Sequence, residues 1–435
     1  MSLSAAKAAH FPAPAQSARE PGRALLWLVL CGSLFYLGYG FANWAAAQQG
    51  TAASIRFGWE RGIPFLPWTI IPYWSIDLFY ALAFFLCIDA LELQRHVRRI
   101  LTAQLVAVVC FLVFPLQLAV AKPATDGLFG LLFAALGTFD RPYNQAPSLH
   151  IALLVILWDL YARHLLKRFH IALHAWALLI GISVLTTWQH HFIDVPTGAA
   201  LGLLCLWLWP AQGALRFQLT HDAKRWRIAA FYALGAAFLG CAALQLGGWQ
   251  LWLLWPALSL GLVALNYLGF GAAGFQKRED GRIPIATRLL LALYLLGARM
   301  NAWLWTAADR PNEVADGVWI GALPRWFAEG APAFATVIDL CAELPAAPHA
   351  GRHIALPALD LIPLTTGALG DAVAAIEAAR PQGPVLVACA LGYGRSAAAV
   401  AAWLVATGRA ASPEAAVDAL RARRPRVALH ARQLS

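Results

Sequence analysis

Charged residues are scarce in this chain: Asp, Glu, Lys and Arg make up 13% of its 435 residues, whereas 60% are hydrophobic. So low a charge content excludes a disordered chain and a coiled coil. The seven cysteines show no CxxC or zinc-knuckle spacing, which argues against a disulfide framework and favours a reducing compartment for the C-terminal part. The chain is also too apolar for an ordinary soluble enzyme, so we interpret it as a membrane protein.

Long apolar runs occupy only the first part of the chain. They are roughly 17 to 22 residues long, enough to cross about 30 Å of hydrocarbon as helices. From residue 308 onward no run reaches that length, and short β-rich strings alternate with Ala-rich stretches, as in an α/β domain. The predicted spans are 24–43, 72–90, 100–119, 149–165, 172–188, 196–211, 227–246 and 250–270.

The expected fold is a multi-span all-α membrane domain, with a six-helix core and two or three extra helices, followed by a soluble α/β domain. The first run is not followed by a cleavage site and a soluble domain, so we interpret it as a retained span. The predicted parts are a cytoplasmic N-terminal tail (1–23), a membrane core (24–215), additional membrane and interfacial helices (216–306) and the α/β domain (307–435).

Cations fall mainly on alternate loops between the spans. One side carries basic clusters within 95–99, 163–168, 224–227 and 277–282. The other side has only Arg56, Arg61, Lys122 and Arg141. By the positive-inside rule the N-terminus is cytoplasmic, which predicts an integral protein of a bacterial inner membrane. The net charge of +10 then reflects topology, so the expected partner is the lipid bilayer and not nucleic acid.

A ninth apolar run, 288–305, bears on the side of the membrane that the α/β domain occupies. It carries Arg288 and Arg299, which share a helical face. If the run spans the membrane, the domain lies outside; if it is an interfacial helix, the domain stays in the cytoplasm. We favour the interfacial interpretation and a cytoplasmic domain.

Two polar clusters meet at the outer face under this orientation. Ser148 and His150 belong to a PSLH segment that begins a predicted helix, where free backbone N–H groups favour an anion. His190 and Asp194 are four residues apart and share one face of a helix. An Asp bonded to one imidazole nitrogen leaves the other free as a nucleophile, and a second histidine can protonate the leaving oxygen. The residues predict phosphoryl transfer through a phosphohistidine.

These segments resemble the second and third signatures of the type-2 phosphatidic acid phosphatase superfamily, most closely the branch with inositol phosphorylceramide and sphingomyelin synthases. The resemblance covers roughly 24–215. It implies that His190 is the nucleophile, Asp194 its orienting partner and His150 the general acid, with Ser148 at the substrate phosphate.

The chain departs from that pattern in its cations. Ala134 occupies the position of a Lys in the first signature, although Arg141 is present, and Val184 follows Ser183 where the phosphatases have Arg. We expect Arg141 to bind the substrate phosphate, with Lys122 as the other candidate. The missing cations favour a transferase-like site, and the acceptor, water or a lipid alcohol, stays open.

Two other interpretations apply to this histidine cluster. Its polar side chains could simply be satisfied by water and neighbouring helices, or two or three histidines with Asp194 could bind zinc. We favour the catalytic interpretation, because ionisable residues grouped at one membrane depth are more often functional. We expect no metal and no cofactor.

The C-terminal part contains a C-x5-R-S segment, from Cys389 to Ser396. A Cys that ends a strand, a loop with Gly392 and Gly394, and Arg395 at the start of a helix form a phosphate cradle. The same positive field favours a thiolate nucleophile at Cys389, and the Ser396 hydroxyl can help the sulfur to leave.

This segment resembles the signature of the protein tyrosine phosphatase superfamily, in particular its compact dual-specificity phosphatases. The resemblance covers roughly 310–435, with an opening strand at 318–321 and a closing helix over 415–425. The family uses an Asp upstream of the Cys to protonate the leaving oxygen, and Asp360 lies 29 residues before Cys389.

One departure is Ala388, where the family usually has a His that supports the loop; its absence predicts a less stabilised thiolate and a slower enzyme. The end of the chain is basic, and its run is either a solvated face or a patch against anionic lipids. The run comprises Arg421, Arg423, Arg424, Arg426 and Arg432.

We therefore expect a membrane hydrolase of phosphoric monoesters with two sites. The Cys-dependent domain acts on a membrane-presented phosphorylated lipid or phosphoprotein, and the membrane site is a His-dependent lipid phosphatase or phosphotransferase. The alternatives are a phospholipid head-group transferase at the membrane site, or a C-terminal module that binds phosphate without catalysis.

Overall fold

The computed structural model describes residues 20–49, 53–139, 141–324 and 333–429. Most of the predicted N-terminal tail, and Arg432 of the basic run, lie outside these residues. Contacts divide the chain into two compact units, Met1–Ala214 and Leu215–Ser435.

The first unit is helical throughout its described part. Its helices are α1 (Pro21–Gln48), α2 (Ile70–Leu86), α3 (Ala90–Val113), α4 (Gly127–Gly137), α5 (Leu149–His164), α6 (His170–Thr186) and α7 (Asp194–Leu208). Side-chain caps set two of the helix starts. Asp89 accepts the N–H of Glu92 at 2.7 Å, and Ser148 accepts that of Ile151 at 3.3 Å. Each such cap contributes about 1 kcal/mol, and the second places Ser148 at the first turn of α5.

Helices α5 and α7 pack closely because α7 carries glycine where they meet. A Cβ at Gly198 would lie 2.9 Å from the Cβ of Ile151, and one at Gly202 would lie 2.7 Å from the carbonyl oxygen of Ala152. Small residues of this kind let membrane helices approach backbone to backbone. The close packing brings the start of α7 beside the start of α5, where the predicted histidine cluster lies.

The second unit begins with helices and short irregular turns. Its longer helices before the sheet are α8 (Ala223–Leu246), α9 (Leu254–Leu265), α10 (Ile285–Leu290) and α11 (Ala292–Thr306). The predicted span 250–270 is not one regular helix, since 3-10 turns precede and follow α9 and a π-type turn covers Asn266–Phe270. The run 288–305 is divided between α10 and α11, which meet at Leu291.

Six helical stretches among the described residues are long and apolar enough to cross a membrane, and they indicate an integral membrane protein. They are Pro21–Gln48, Pro67–Leu86, Ala90–Val113, Lys167–Thr186, Ala223–Leu246 and Gly248–Phe275. The predicted spans 149–165 and 196–211 form α5 and α7, which have only 16 and 15 residues. At 1.5 Å per residue they reach about 24 Å, less than a typical hydrocarbon core.

The rest of the second unit is an α/β domain with a five-stranded sheet in its described part. The strands β1 (Asn312–Ala315), β2 (Val318–Ala322), β3 (Thr336–Cys341), β4 (Arg352–Ala358) and β5 (Val385–Cys389) lie in the order β1-β2-β5-β3-β4. Only β1 is antiparallel to its neighbour within this sheet. The helices that follow are α12 (Thr366–Ala379), α13 (Arg395–Ala406) and α14 (Pro413–Arg423).

Helices cover both faces of this sheet. On one face α12, α13 and α14 bury a cluster that includes Ile320 and Val387. On the other face Ala302 of α11 packs against Leu386 and Ala388. Burial on both sides explains why β5 is an unbroken apolar run.

The opposite side of α11 is apolar and exposed. Leu296, Met300 and Leu304 are 53%, 55% and 68% exposed, and they follow one another at helical spacing. One face of this helix is thus used by the sheet, and the other is available to a bilayer surface. The interfacial interpretation of 288–305 stays a prediction.

Candidate active sites

The predicted phosphate cradle lies at the carboxyl end of β5. Cys389 ends that strand, and its Sγ accepts the N–H of Gly392 at 3.3 Å. The Oγ of Ser396 lies 3.3 Å from the same sulfur. Free N–H groups of the first turn of α13 surround this space. The sulfur of Cys389 therefore faces the N-terminus of α13, where positive potential and free N–H groups favour an anion.

The loop between Cys389 and α13 approaches β2 so closely that it requires glycine. Gly392 has φ +75°, and a Cβ there would lie 2.6 Å from the backbone nitrogen of Ala322. Gly394 precedes the first residue of α13 and, within the described structure, has open space where a Cβ would point. Gly392 is therefore needed for the shape of the cradle, whereas the space beside Gly394 is unoccupied.

Arg395 is buried and holds two carboxylates. Its Nη1 and Nη2 donate to Glu343 at 2.8 and 2.5 Å, and Nη2 lies 3.0 Å from Oδ1 of Asp360. Nη1 also donates to the carbonyl of Ala358 at 2.8 Å. Glu343 thus occupies the edge formed by Nη1 and Nη2, which leaves the edge formed by Nε and Nη2 for a phosphate.

Glu343 was not predicted from the sequence. It is 3% exposed and lies just beyond the carboxyl end of β3, the parallel neighbour of β5. Burial alone would raise its pKa, but the Arg395 guanidinium holds the pKa of Glu343 below its ordinary value. The position of Glu343 could have been noticed in the sequence, because it comes just after a predicted strand. The carboxyl ends of neighbouring parallel strands converge on one site.

Asp360 follows β4 and reaches the same guanidinium. Its side chain is 45% exposed, and its pKa is raised because partial burial favours the neutral acid more than the Arg395 charge opposes it. The next residue, Leu361, has φ +61°, a backbone conformation that is uncommon for a residue with a side chain. The structure thus brings the predicted proton donor to the predicted cradle.

A buried arginine supports the cradle from behind. Arg424 is 4% exposed, and it donates to the carbonyls of Gly392 and Leu391 at 3.0 and 3.3 Å. Its guanidinium also stacks on Tyr393 at 4.7 Å and pairs with Asp309 at 3.1 Å. Both predictions for the basic run, a solvated face and a lipid-facing patch, are wrong for Arg424. Arg424 thus fixes two carbonyls of the loop, and Ala388, at the usual His position, is buried in a cluster that also contains Ala302 of α11.

In the first unit a chain of polar contacts joins α5 to α7. The Nδ1 of His190 lies 3.1 Å from Oδ2 of Asp194, and its Nε2 lies 3.1 Å from Oγ of Ser148. His190 precedes α7 and is not part of it, so the predicted shared helical face is replaced by a turn that closes the same pair. Asp194 orients the ring, and Nε2 points toward the start of α5.

His150 lies in the first turn of α5. Its ring stacks on Tyr73 with 4.2 Å between centroids. Its Nε2 is buried and has no hydrogen-bond partner among the described residues. A buried nitrogen without a partner is costly, and it is suited to bind a group that the protein itself does not supply.

His191 has a structural environment. Its Nδ1 lies 3.0 Å from Oε2 of Glu60, and its Nε2 accepts the N–H of Ala119 at 3.1 Å. Glu60 also accepts the N–H groups of Phe57 and Phe192, and nothing in the sequence singled it out. Within the described part of the chain, no group of three His, Cys, Asp or Glu is arranged to hold a metal ion.

The two candidate cations of the membrane site differ in placement. Arg141 is exposed and makes no hydrogen bond or ion pair with any described residue. Lys122 donates to the side chain of Gln189, the residue before His190. Lys122 and Gln189, but not Arg141, line a cavity of about 210 Å³, whose other walls are Phe65, Pro123, Thr125, Phe133 and Gly137. Lys122 is thus the cation that lies next to the histidine segment.

No protein-family model matches the chain, and no curated protein matches it. Solved structures are similar to its C-terminal part. Human DUSP28 is 24% identical, with 29% of this chain and 90% of that chain covered and a TM-score of 0.26. PTPMT1 in complex with PI(5)P is 21% identical, with 29% and 90% covered and a TM-score of 0.26. Tk-PTP in the active form is 24% identical, with 29% and 92% covered and a TM-score of 0.25.

These similarities concern the α/β domain. The resemblance of 24–215 to the type-2 phosphatidic acid phosphatase superfamily rests on its motifs alone. The C-terminal part of the chain is similar in fold to these solved structures.

Proposed function

We propose that this integral membrane protein hydrolyses phosphate monoesters through Cys389. The observation that carries the proposal is the convergence of a thiol, a guanidinium and a carboxyl at one helix N-terminus. Cys389 lies under the loop N–H groups, and Asp360 lies 3.0 Å from Arg395, the first residue of that helix.

The reaction proceeds in two steps. The thiolate of Cys389 attacks phosphorus, the bond from phosphorus to the alcohol oxygen breaks, and protonated Asp360 gives its proton to that oxygen. Water, activated by the Asp360 carboxylate, then attacks the cysteinyl phosphate and releases inorganic phosphate. Arg395 and the loop N–H groups hold the equatorial oxygens, and the Ser396 hydroxyl stabilises the leaving sulfur.

The substrate class follows from where the domain lies. The site belongs to the same compact unit as the candidate spans Ala223–Leu246 and Gly248–Phe275, so it works at the bilayer surface. We infer a lipid head-group phosphate, phosphoinositide-like, in preference to a soluble phosphoprotein. An N-terminus and an α/β domain on the cytoplasmic side agree with the alternating basic loops.

A second activity is supported by the contacts of His190. With Asp194 on Nδ1 and Ser148 on Nε2, it is oriented as a nucleophile, and His150 is the donor to the leaving oxygen. Lys122 beside Gln189 supplies positive charge for the phosphate. We propose a His-dependent lipid phosphatase or phosphotransferase at the outer face, with a head-group transferase as the alternative.

The decisive experiment uses the full-length protein in detergent and p-nitrophenyl phosphate. Cys389→Ser is expected to lower phosphate release roughly a thousandfold or more, because the nucleophile is removed. Cys341→Ala, which changes a buried cysteine of the same domain, is the matched control and retains activity. If Cys389→Ser keeps wild-type activity, the proposed chemistry is wrong; if wild-type protein binds phosphate analogues without turnover, the domain is a non-catalytic module.

The membrane site is assayed separately from the Cys389 site, with a short-chain phosphatidate as its substrate. Its turnover, or transfer to an added alcohol, is expected to be lost in His190→Ala and kept in Cys389→Ser. His174→Ala, on α6, is the control for loss of an imidazole from the same unit. Turnover that survives His190→Ala would remove this site from the proposal.

A further inference from the structure

The proton donor of the phosphatase site is bonded to a helical segment outside the α/β domain. The hydroxyl of Tyr267 donates to the backbone carbonyl of Asp360 at 3.0 Å. Tyr267 belongs to the candidate span Gly248–Phe275, whereas Asp360 lies on the loop after β4. Both residues are in the second compact unit.

Tyr267 is itself firmly held. It is 1% exposed, and its ring stacks on Tyr232 of α8 with 5.8 Å between centroids and 27° between planes. Arg225, also on α8, donates from Nε to the Tyr267 carbonyl at 2.9 Å. The hydroxyl is thus positioned by α8 and by the π-type turn that follows α9, and it gives the loop a fixed point.

The same helical segment is anchored to the sheet close to the site. Lys277, two residues after Phe275, is fully buried and donates to the carbonyls of Cys341 and Leu344 at 2.7 Å each. It also pairs with Asp339 of β3. Breaking a buried ion pair on one side leaves an uncompensated charge and is strongly destabilising, so the segment stays attached to the strand that leads to Glu343.

The loop that carries Asp360 needs such support. Leu361 has φ +61° and is 62% exposed, so the unusual backbone is not stabilised by burial of that side chain. Asp360 is fastened at two points, by its carboxylate to Arg395 and by its carbonyl to Tyr267. Without the second point, only the carboxylate holds the acid over the cradle, and that contact must open when a phosphate binds.

We propose that Tyr267 is a positioning residue of the phosphatase site. It holds the Asp360 loop in place while the carboxyl leaves Arg395 for the leaving oxygen of the substrate. Proton donation at the α/β domain therefore depends on the candidate span Gly248–Phe275 and on α8, which holds Tyr267. This inference rests on the proposed Cys389 chemistry and adds a residue outside the domain that performs it.

The test compares two substrates of the full-length protein. A general acid matters most for a poor leaving group, such as the alkyl oxygen of a short-chain phosphatidylinositol monophosphate, and little for p-nitrophenolate. Tyr267→Phe removes one hydrogen bond and is expected to lower kcat on the lipid roughly three- to tenfold, with KM and p-nitrophenyl phosphate turnover within about twofold. Tyr232→Phe is the matched control, because it changes a hydroxyl of the same aromatic cluster that does not bond to Asp360.

Tungstate binding to the cradle checks that Tyr267→Phe keeps an intact site. If the lipid kcat of Tyr267→Phe stays within twofold of wild type, or if both substrates fall together with tungstate affinity kept, the positioning role is wrong. Cys389→Ser in the same assay tests the proposed function separately. If Cys389→Ser loses activity while Tyr267→Phe is unaffected, only the positioning role of Tyr267 is wrong. If Cys389→Ser keeps full activity, the proposed Cys389 chemistry is wrong as well.

Discussion

Two carboxylates share Arg395, and their surroundings give them different protonation states. Glu343 is buried against the guanidinium, which keeps its pKa low, so it is a permanent anion. Asp360 has a raised pKa, because its partial burial outweighs the effect of the same arginine. Groups whose pKa values are pushed apart in this way divide into a structural anion and an acid. We assign the proton donor to Asp360 for that reason.

This assignment predicts a pH dependence. Asp360 must be protonated to donate, so kcat on an alkyl phosphate falls as pH rises through its pKa, and the raised pKa moves this alkaline limb upward from the ordinary Asp value of about 3.9. Asp360→Asn is expected to lower kcat by roughly 10²–10⁴ and to flatten the limb. The measurement is a kcat profile over pH for wild type and variant.

Asp371→Asn, on the exposed part of α12, is the control for loss of an aspartate in the same domain. An unchanged alkaline limb in Asp360→Asn would assign the proton donor elsewhere.

The residues of the C-x5-R-S segment could be predicted because they are close in sequence, whereas Asp360 came from the family resemblance. Cys389, Gly392, Arg395 and Ser396 lie within eight positions, so their chemistry is visible as a motif. Glu343 meets Arg395 across 52 residues through the pairing of β3 with β5, and no spacing rule reports such a contact. Charge patterning predicted either a solvated face or a lipid-facing patch for Arg424, because a basic run does not show which member turns inward.

At the scale of elements, the histidine site depends on how α5 and α7 meet. Ser148 caps α5, Asp194 begins α7, and the N–H of Ser148 donates to the Asp194 carbonyl at 3.1 Å. The glycines of α7 allow this approach. A change in helix separation therefore acts directly on the contact between Ser148 and His190.

Gly198→Ala is expected to push α7 away from α5. The new methyl would lie 2.9 Å from the Cβ of Ile151, and overpacking of this kind costs about 1–3 kcal/mol. Turnover of short-chain phosphatidate is expected to fall, and p-nitrophenyl phosphate turnover at Cys389 to stay unchanged. Both assays, with a thermal melt, are done on the full-length protein.

Gly181→Ala on α6 is the matched substitution, because its methyl would meet Leu154 at an ordinary 3.6 Å. Equal loss in both variants would mean that general destabilisation, not the crossing of α5 and α7, governs the site.

The hydrophobic pattern predicted some helices of the membrane part better than others. Continuous runs located α1, α3 and α8, because a lipid-facing helix must satisfy its backbone internally and be apolar along its length. The run 250–270 was predicted as one helix, yet glycines at 269 and 271 accompany a π-type turn and a 3-10 turn. Apolar composition reports depth in a bilayer, but it does not report where a helix changes its hydrogen-bond pattern.

At the scale of the whole molecule, the proposal places the two chemistries on opposite sides of the membrane. The histidine cluster is assigned to the outer face and the Cys389 site to the cytoplasm, where a free thiol is maintained. The six candidate spans do not decide this by themselves, since orientation comes from the basic loops.

Reporter fusions test the orientation. A green fluorescent protein fused after Ser435 is expected to fluoresce, and an alkaline phosphatase at the same point to be inactive, as for a cytoplasmic end. The reverse pattern is expected for fusions at Gly247, in the turn between α8 and the next span. Active alkaline phosphatase after Ser435 would place the Cys389 domain outside and contradict its proposed access to the cytoplasmic leaflet.

Helix α11 bears on where this protein can be divided into fragments. Its Ala302 side completes the apolar interior of the sheet, while its Leu296 side is open to lipid. In a fragment that begins at residue 307, the side of the sheet with Leu386 and Ala388 would lose Ala302 and become more exposed to solvent. We therefore expect a fragment that lacks α11 to be less stable than one that begins before residue 292, as a thermal melt of the two fragments would show.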